Sequence, residues 1–324
     1  MVVYRTISRV VRLPTNLTLS LSRAAIGAEP PIYSHPSQTT ISAKQLDLPF
    51  LRPNTQRQLS TTTTTTNNTN PNTSSTNLNG NYEHHVPLNS FEQTFLAVGS
   101  AIASLNDPHR GDMVAVLSET TAGPFLSKLR DQMLESESGR RILRTRPRIR
   151  SGDIDLNRLK NLEPGSFGRT YVEWLERCHV SPDTRETVRY IDSPELAYVM
   201  QRYRECHDFY HVISGGFPVS VSGEIIVKWF ELANMGLPVA ALSALFGPLR
   251  LSSGRRARLL RTYVPWALKC GSSARSLISV EWETHWEMQI DELRETLGIW
   301  DPPVDWNTWK EEEDRIKREQ ALQA

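Results

Sequence analysis

The segment from Ser193 to Gly236 constrains the fold most, because it spells out two helices together with their starts and stops. Ser193-Pro194-Glu195 supplies a hydroxyl cap, a proline where no amide hydrogen is needed, and an early acid. Leu196, Val199, Tyr203, Tyr210 and Ile213 continue the helical period, and Gly215-Gly216 ends it. His207 and His211 are therefore i and i+4, stacked on one face about 6 Å apart along the axis. Asp208, i+3 to His211, flanks the same face. The spacing predicts a second helix from about Ser220 to Met235, stopped by Gly236. Glu224 falls in its first turns, where an antiparallel helix hairpin returns it to the His-Asp-His face.

The pattern His-Asp-x-x-His, twelve residues, then Glu offers two imidazoles and two carboxylates to one ion. Such a nitrogen and oxygen set suits zinc, iron(II) or manganese better than magnesium or calcium. A histidine pair at this spacing is commonly a coincidence on a helix surface. Asp208 between the imidazoles, the glycine stop and Glu224 favour a metal site at His207, Asp208, His211 and Glu224. Four protein ligands still leave a position for substrate, so the spacing leaves both a catalytic and a structural ion open.

The rest of the chain reads as one helical domain, all-α in class, over residues 83–300, with a C-terminal tail at 301–324. Phe91, Phe95, Val98 and Ile102 recur at helical spacing before Asn106-Asp107-Pro108. Further helices are expected over 110–120 and 124–134, with a basic connection from Arg140 to Arg150. A turn at Gly165 to Gly168 precedes a helix through Tyr171, Trp174 and Leu175.

Ahead of the domain, residues 1–28 contain four arginines and no acid, with cationic and apolar stripes on opposite helix faces. This is the pattern of a mitochondrial transit peptide. Residues 29–82 are rich in Ser, Thr, Asn and Pro, and read as a disordered linker that cannot bury enough apolar surface to order itself. Three cysteines, with no CxxC pair, argue against a disulfide framework or a thiolate zinc cluster. A formal net charge of +1 gives no electrostatic case for nucleic acid. No apolar run is long enough to span a bilayer.

Between Gly236 and Val280 there are seven basic residues and no acid, directly after the apolar stretch Leu237 to Leu249. That arrangement fits an anionic membrane surface; it equally fits a core helix followed by a protein-facing charged run. Trp300, Trp306 and Trp309 mark either a subunit contact, as in a homo-oligomer, or a cap on the core.

Arg202-Tyr203-Arg204-Glu205-Cys206-His207-Asp208, His211, Gly215 and Gly223-Glu224 with Lys228-Trp229-Phe230-Glu231 resemble a known family. So do Gly236-Leu237-Pro238, Phe246-Gly247-Pro248, the string Tyr263 to Leu268, and Trp282-Glu283. The family is the fourth protein of the coenzyme Q (ubiquinone) biosynthesis series, and the resemblance runs from about Glu83 to Ile299. Cys206 departs from the small aliphatic residue usual there, and Phe167 departs between Gly165 and Gly168; neither is a proposed ligand. The resemblance implies a peripheral protein on the matrix side of the mitochondrial inner membrane, working among the other enzymes of the ubiquinone-synthesis complex. It implies metal-dependent removal of the C1 carboxyl of a 4-hydroxy-3-methoxy-5-polyprenylbenzoate, with zinc on His207, Asp208, His211 and Glu224.

Tyr203 and Glu231 lie on faces suited to proton transfer, or to packing around the ligands. The main rival is a non-catalytic lipid-binding scaffold with a structural metal. A phosphohydrolase of the His-Asp superfamily needs an upstream histidine, such as His109 or His179, and a downstream aspartate. The first aspartate after His211 is Asp291, which disfavours it.

Overall fold

Asn89 opens the first helix with a capping box: its side chain accepts from the Phe91 and Glu92 amides while Glu92 reaches back to its own amide. The computed structural model describes residues 82–107 and 110–323. The expected transit peptide and nearly all of the linker lie outside them, as does His109.

The chain forms α1 (Ser90–Asn106), α2 (Gly111–Glu135), α3 (Glu137–Thr145), α4 (Leu156–Lys160), α5 (Phe167–Cys178), α6 (Pro194–Glu205) and α7 (His207–Ile213). After these come α8 (Val221–Met235), α9 (Pro238–Phe246), α10 (Ser253–Thr262), α11 (Val264–Ser273), α12 (Ile290–Leu297) and α13 (Trp306–Gln323). Among the described residues no strand forms; a single bridge joins Ser166 and Gln289. The all-α expectation is met. α8 packs along α11 and α9, α2 packs on α1, α6 and α9, and α5 packs on α7.

The two helices expected over 110–120 and 124–134 are both present within α2, parted where Gly123 leaves helical geometry (φ 27°, ψ −120°) just before Pro124. The expected basic connection from Arg140 to Arg150 is helical in its first half, because α3 runs to Thr145 before Arg146 turns left-handed. Residues past 300 are no detached tail. Trp309 of α13 is fully buried, Trp306 stands edge-on to Phe217 at 6.1 Å, and Trp300 alone of the three is exposed. Trp306 and Trp309 cap the core.

One further correction concerns the helix from Ser193. It stops at Glu205 and restarts at His207, because at Cys206 the backbone tightens: the Phe209 amide bonds the Cys206 carbonyl, three residues back, at 3.0 Å. Every residue from Ala197 to Ile213 is buried, charges included. Arg202 holds Glu283, Arg204 holds Glu119, and Glu205 takes Arg148. A segment surrounded by protein needs such partners, because an unpaired buried charge is costly.

Candidate metal centre

α7 is held between an aromatic cluster and α8. Phe209 meets Tyr171 edge-on at 4.7 Å and packs on Phe167, Trp282 and Trp286. His207 and His211, on another side of the same two turns, face α8. That helix begins where the sequence places it: Ser220 accepts from the Gly223 amide, and Gly236 ends it at φ 67°. Gly223 has no room for a side chain, since a Cβ there would sit 2.1 Å from the Pro218 carbonyl oxygen. This close approach lets the first turn of α8 deliver Glu224 to α7.

Ligand atoms of His207, His211 and Glu224 all lie within 4.8 Å of one another. The two imidazole Nε2 atoms are 3.2 Å apart; Glu224 places one oxygen 3.2 Å from His207 Nε2 and the other 3.3 Å from His211 Nε2. Both far nitrogens are occupied. His211 Nδ1 is 3.0 Å from the Phe217 carbonyl, which only accepts, so this nitrogen carries the hydrogen. His207 Nδ1 is 2.5 Å from the Glu231 carboxylate and donates likewise. The two Nε2 lone pairs therefore converge, with a carboxylate beside them. Lone pairs this close repel unless a proton or a cation stands between them.

The spacing suits a metal. Ligand atoms about 2.0–2.1 Å from a tetrahedral zinc stand about 3.3–3.4 Å from one another, close to the separations found here. Burial and Lys228 press the His207 imidazole down, but the Glu231 and Glu224 carboxylates outweigh them and hold it above its ordinary value. Burial pushes Glu224 up, yet the two histidines hold it well below the usual carboxylate range.

Asp208 stands apart from this trio. Its carboxylate is fully buried; Oδ1 accepts from the Arg185 guanidinium, and Oδ2 has no hydrogen-bond partner. Behind His207, Glu231 accepts from the Tyr203 hydroxyl and from Lys228, each at 2.7 Å. Burial raises the Glu231 pKa, while Lys228 and then His207 bring it to about 2. Glu231, itself held by Tyr203, thus meets the far nitrogen of His207 and fixes its tautomer and orientation. Lys228 and Arg185 were not singled out from sequence as site residues. Lys228 is i+4 to Glu224 and gave a helical signal; Arg185 lies on an irregular segment whose spacing carried none. His179 ends α5 in the left-handed region and does not join the cluster.

Residues 82–303 match the family model described as coenzyme Q (ubiquinone) biosynthesis protein Coq4. The chain belongs to the Coq4 family. A mitochondrial ubiquinone biosynthesis protein COQ4 from Laccaria bicolor is 57% identical over 264 residues, covering 81% of this chain and 89% of the relative. One from Coprinopsis cinerea is 61% identical over 223 residues, covering 69% of this chain and 76% of the relative. A Nostoc punctiforme protein assigned to ubiquinone biosynthesis and solved by crystallography shares the fold, with a TM-score of 0.52 over 63% of this chain and 97% of its own, at 23% identity. Membership of the Coq4 family ties this chain to ubiquinone biosynthesis, and its Coq4 relatives are named mitochondrial.

Proposed function

We propose that this Coq4 protein removes the C1 carboxyl of a 4-hydroxy-3-methoxy-5-polyprenylbenzoate in a metal-dependent reaction. The observation that carries this reading is the convergence of two tautomer-fixed Nε2 atoms and the Glu224 carboxylate. His207, His211 and Glu224 would hold the ion; the family pattern adds Asp208, whose carboxylate here stands apart on Arg185. The donor set suits zinc, and iron or manganese next. Bound there, the ion supplies Lewis acidity that stabilises charge as the carbon–carbon bond breaks. Glu231 and the Phe217 carbonyl hold the hydrogen of each imidazole on Nδ1 and aim both Nε2 atoms. The electron pair left on C1 when carbon dioxide departs is met by a proton or an oxidant.

The rival scaffold reading calls for a closed structural ion. Glu224, with 35% of its side chain exposed, instead leaves the centre open on one side. Glu224→Gln separates the two. The decarboxylase reading expects the variant, folded and present at normal level, to fail in restoring ubiquinone to cells lacking their own Coq4. Restoration of most of the ubiquinone would favour a scaffold.

The same reading places the protein peripherally on the matrix face of the mitochondrial inner membrane, where it organises its partner enzymes. No helix among the described residues is long and apolar enough to cross a membrane. The basic run offers fewer free charges than its sequence suggested. Arg258 pairs with Glu312 and lies 3.9 Å over the Trp309 ring, Arg255 is 2.7 Å from Glu313, and Arg250 donates to the Ser104 and Leu105 carbonyls. The apolar stripe of α1 is instead turned outward, with Phe91 78% and Phe95 69% exposed and Val98, Ile102 and Leu105 behind them. Leu245, Phe246 and Leu249 are exposed at the end of α9, next to the Arg250 that grips the end of α1.

These residues form the lipid-facing surface in this reading. Full burial of a large apolar side chain contributes about 1.5–3 kcal/mol. Phe91→Ser with Phe95→Ser is therefore expected to weaken binding to cardiolipin-containing vesicles by at least about a hundredfold, leaving metal content intact. Unchanged vesicle flotation would remove α1 from the membrane contact.

A further inference from the structure

Beside the trio, three buried polar atoms lie without hydrogen-bond partners: Asp208 Oδ2, Arg185 Nε and the Tyr171 hydroxyl. They form one group. Arg185 bonds Asp208 through Nη2, and it interacts electrostatically with Glu224 and with Tyr171, which in turn feels Asp208. Asp208 and Tyr171 are fully buried, while the Arg185 side chain is 27% exposed. Arg185 and Glu224 thus each combine partial exposure with contact to a buried residue of the site.

Buried donors left unmade are costly, and a group of them calls for a ligand. Asp208 Oδ2 is itself an acceptor. That leaves two buried donors, Arg185 Nε–H and Tyr171 O–H, for which the protein supplies no acceptor. The charges agree. Asp208, Glu224 and Glu231 against Arg185 and Lys228 leave one net negative charge with neutral imidazoles. A divalent ion turns this to one net positive charge, which a single carboxylate neutralises and a dianionic phosphate oversteps.

Resting on the decarboxylase reading, we infer that Arg185, supported by Tyr171, is the residue that recognises the carboxylate to be removed. Its planar fork matches a carboxylate in two-point fashion. Asp208 Oδ1 accepts from Nη2 and so fixes the direction of the guanidinium. The substrate's carboxyl would then meet Arg185 beside the residues that would hold the ion.

Titration calorimetry on the full, zinc-loaded chain tests this with two probes that differ only by the carboxyl, 4-hydroxy-3-methoxybenzoate and 2-methoxyphenol. The wild type is expected to prefer the benzoate, and Arg185→Gln to weaken benzoate binding by about ten- to a hundredfold. Phenol binding and zinc content should not change, and Arg185→Lys should restore part of the preference. A fully metal-loaded Arg185→Gln that keeps the wild-type preference overturns the assignment. Loss of zinc from both Arg185 variants also overturns it, by making the arginine a holder of Asp208 alone. A zinc-loaded wild type that binds both probes equally removes carboxylate recognition altogether; release of carbon dioxide, measured separately, then decides whether the decarboxylase reading falls with it.

Discussion

His211→Ala is expected to leave a helical protein that no longer retains stoichiometric metal. The side chain is fully buried, with Nδ1 spent on the Phe217 carbonyl and Nε2 aimed between His207 and Glu224. Alanine removes one of the converging donors and no other residue among the described ones stands ready to replace it. The backbone of α7 does not depend on the imidazole, so circular dichroism should keep its helical signal. His207→Ala should behave alike. Glu231→Gln, which keeps the shape but loses the charge behind His207, should weaken metal binding by about ten- to a hundredfold. Metal analysis after dialysis reads all three. Full occupancy in both histidine variants would mean that the ion sits elsewhere.

Arg204→Met is expected to cost about 3–5 kcal/mol of stability, the usual result of leaving one member of a buried ion pair alone. Arg204 donates to Glu119 at 2.7 Å, to Ser118 and to the Ala115 carbonyl, and so ties α6 to α2. Glu119 in turn accepts from the Arg189 and Tyr190 amides, which anchors the segment leading into α6. Methionine fills much of the volume but leaves that carboxylate buried opposite an apolar chain. Chemical denaturation checks the size of the loss, and adding Glu119→Gln should recover part of it. A loss below about 1 kcal/mol would place this pair with ordinary surface bridges.

The helices that carry the ligands were legible because their ends are written in short-range chemistry. Ser193-Pro194, Ser220, Gly215-Gly216 and Gly236 are caps and stops that work whatever the rest of the protein does. His207, His211 and Glu224 were legible because helix geometry fixes the first two and one turn-sized connection returns the third. What failed to show depends on contacts across the chain. The tightening at Cys206 has no glycine or proline to announce it, and it occurs in a segment buried on all sides, where periodicity carries no signal. Arg255 and Arg258 looked like a free basic surface because Glu312 and Glu313, their partners, lie more than fifty residues on. The stripe of α1 marked a helix correctly, but period alone does not say whether an apolar face is covered. Asp208 was placed with the ligands by spacing, and only the fold reveals Arg185 against it.

Metal-dependent decarboxylation is tested most directly by following the carboxyl carbon itself. Purified protein is given a short-prenyl 4-hydroxy-3-methoxybenzoate labelled in its carboxyl group, in air, first as loaded with zinc, then after chelation, then after zinc is returned. The expected result is labelled carbon dioxide from the loaded protein, none after chelation, and release again once the metal is restored, with none at any stage from His211→Ala. Label that stays in the benzoate with fully metal-loaded, folded wild-type protein, or that leaves equally fast after chelation, would contradict a metal-dependent decarboxylase.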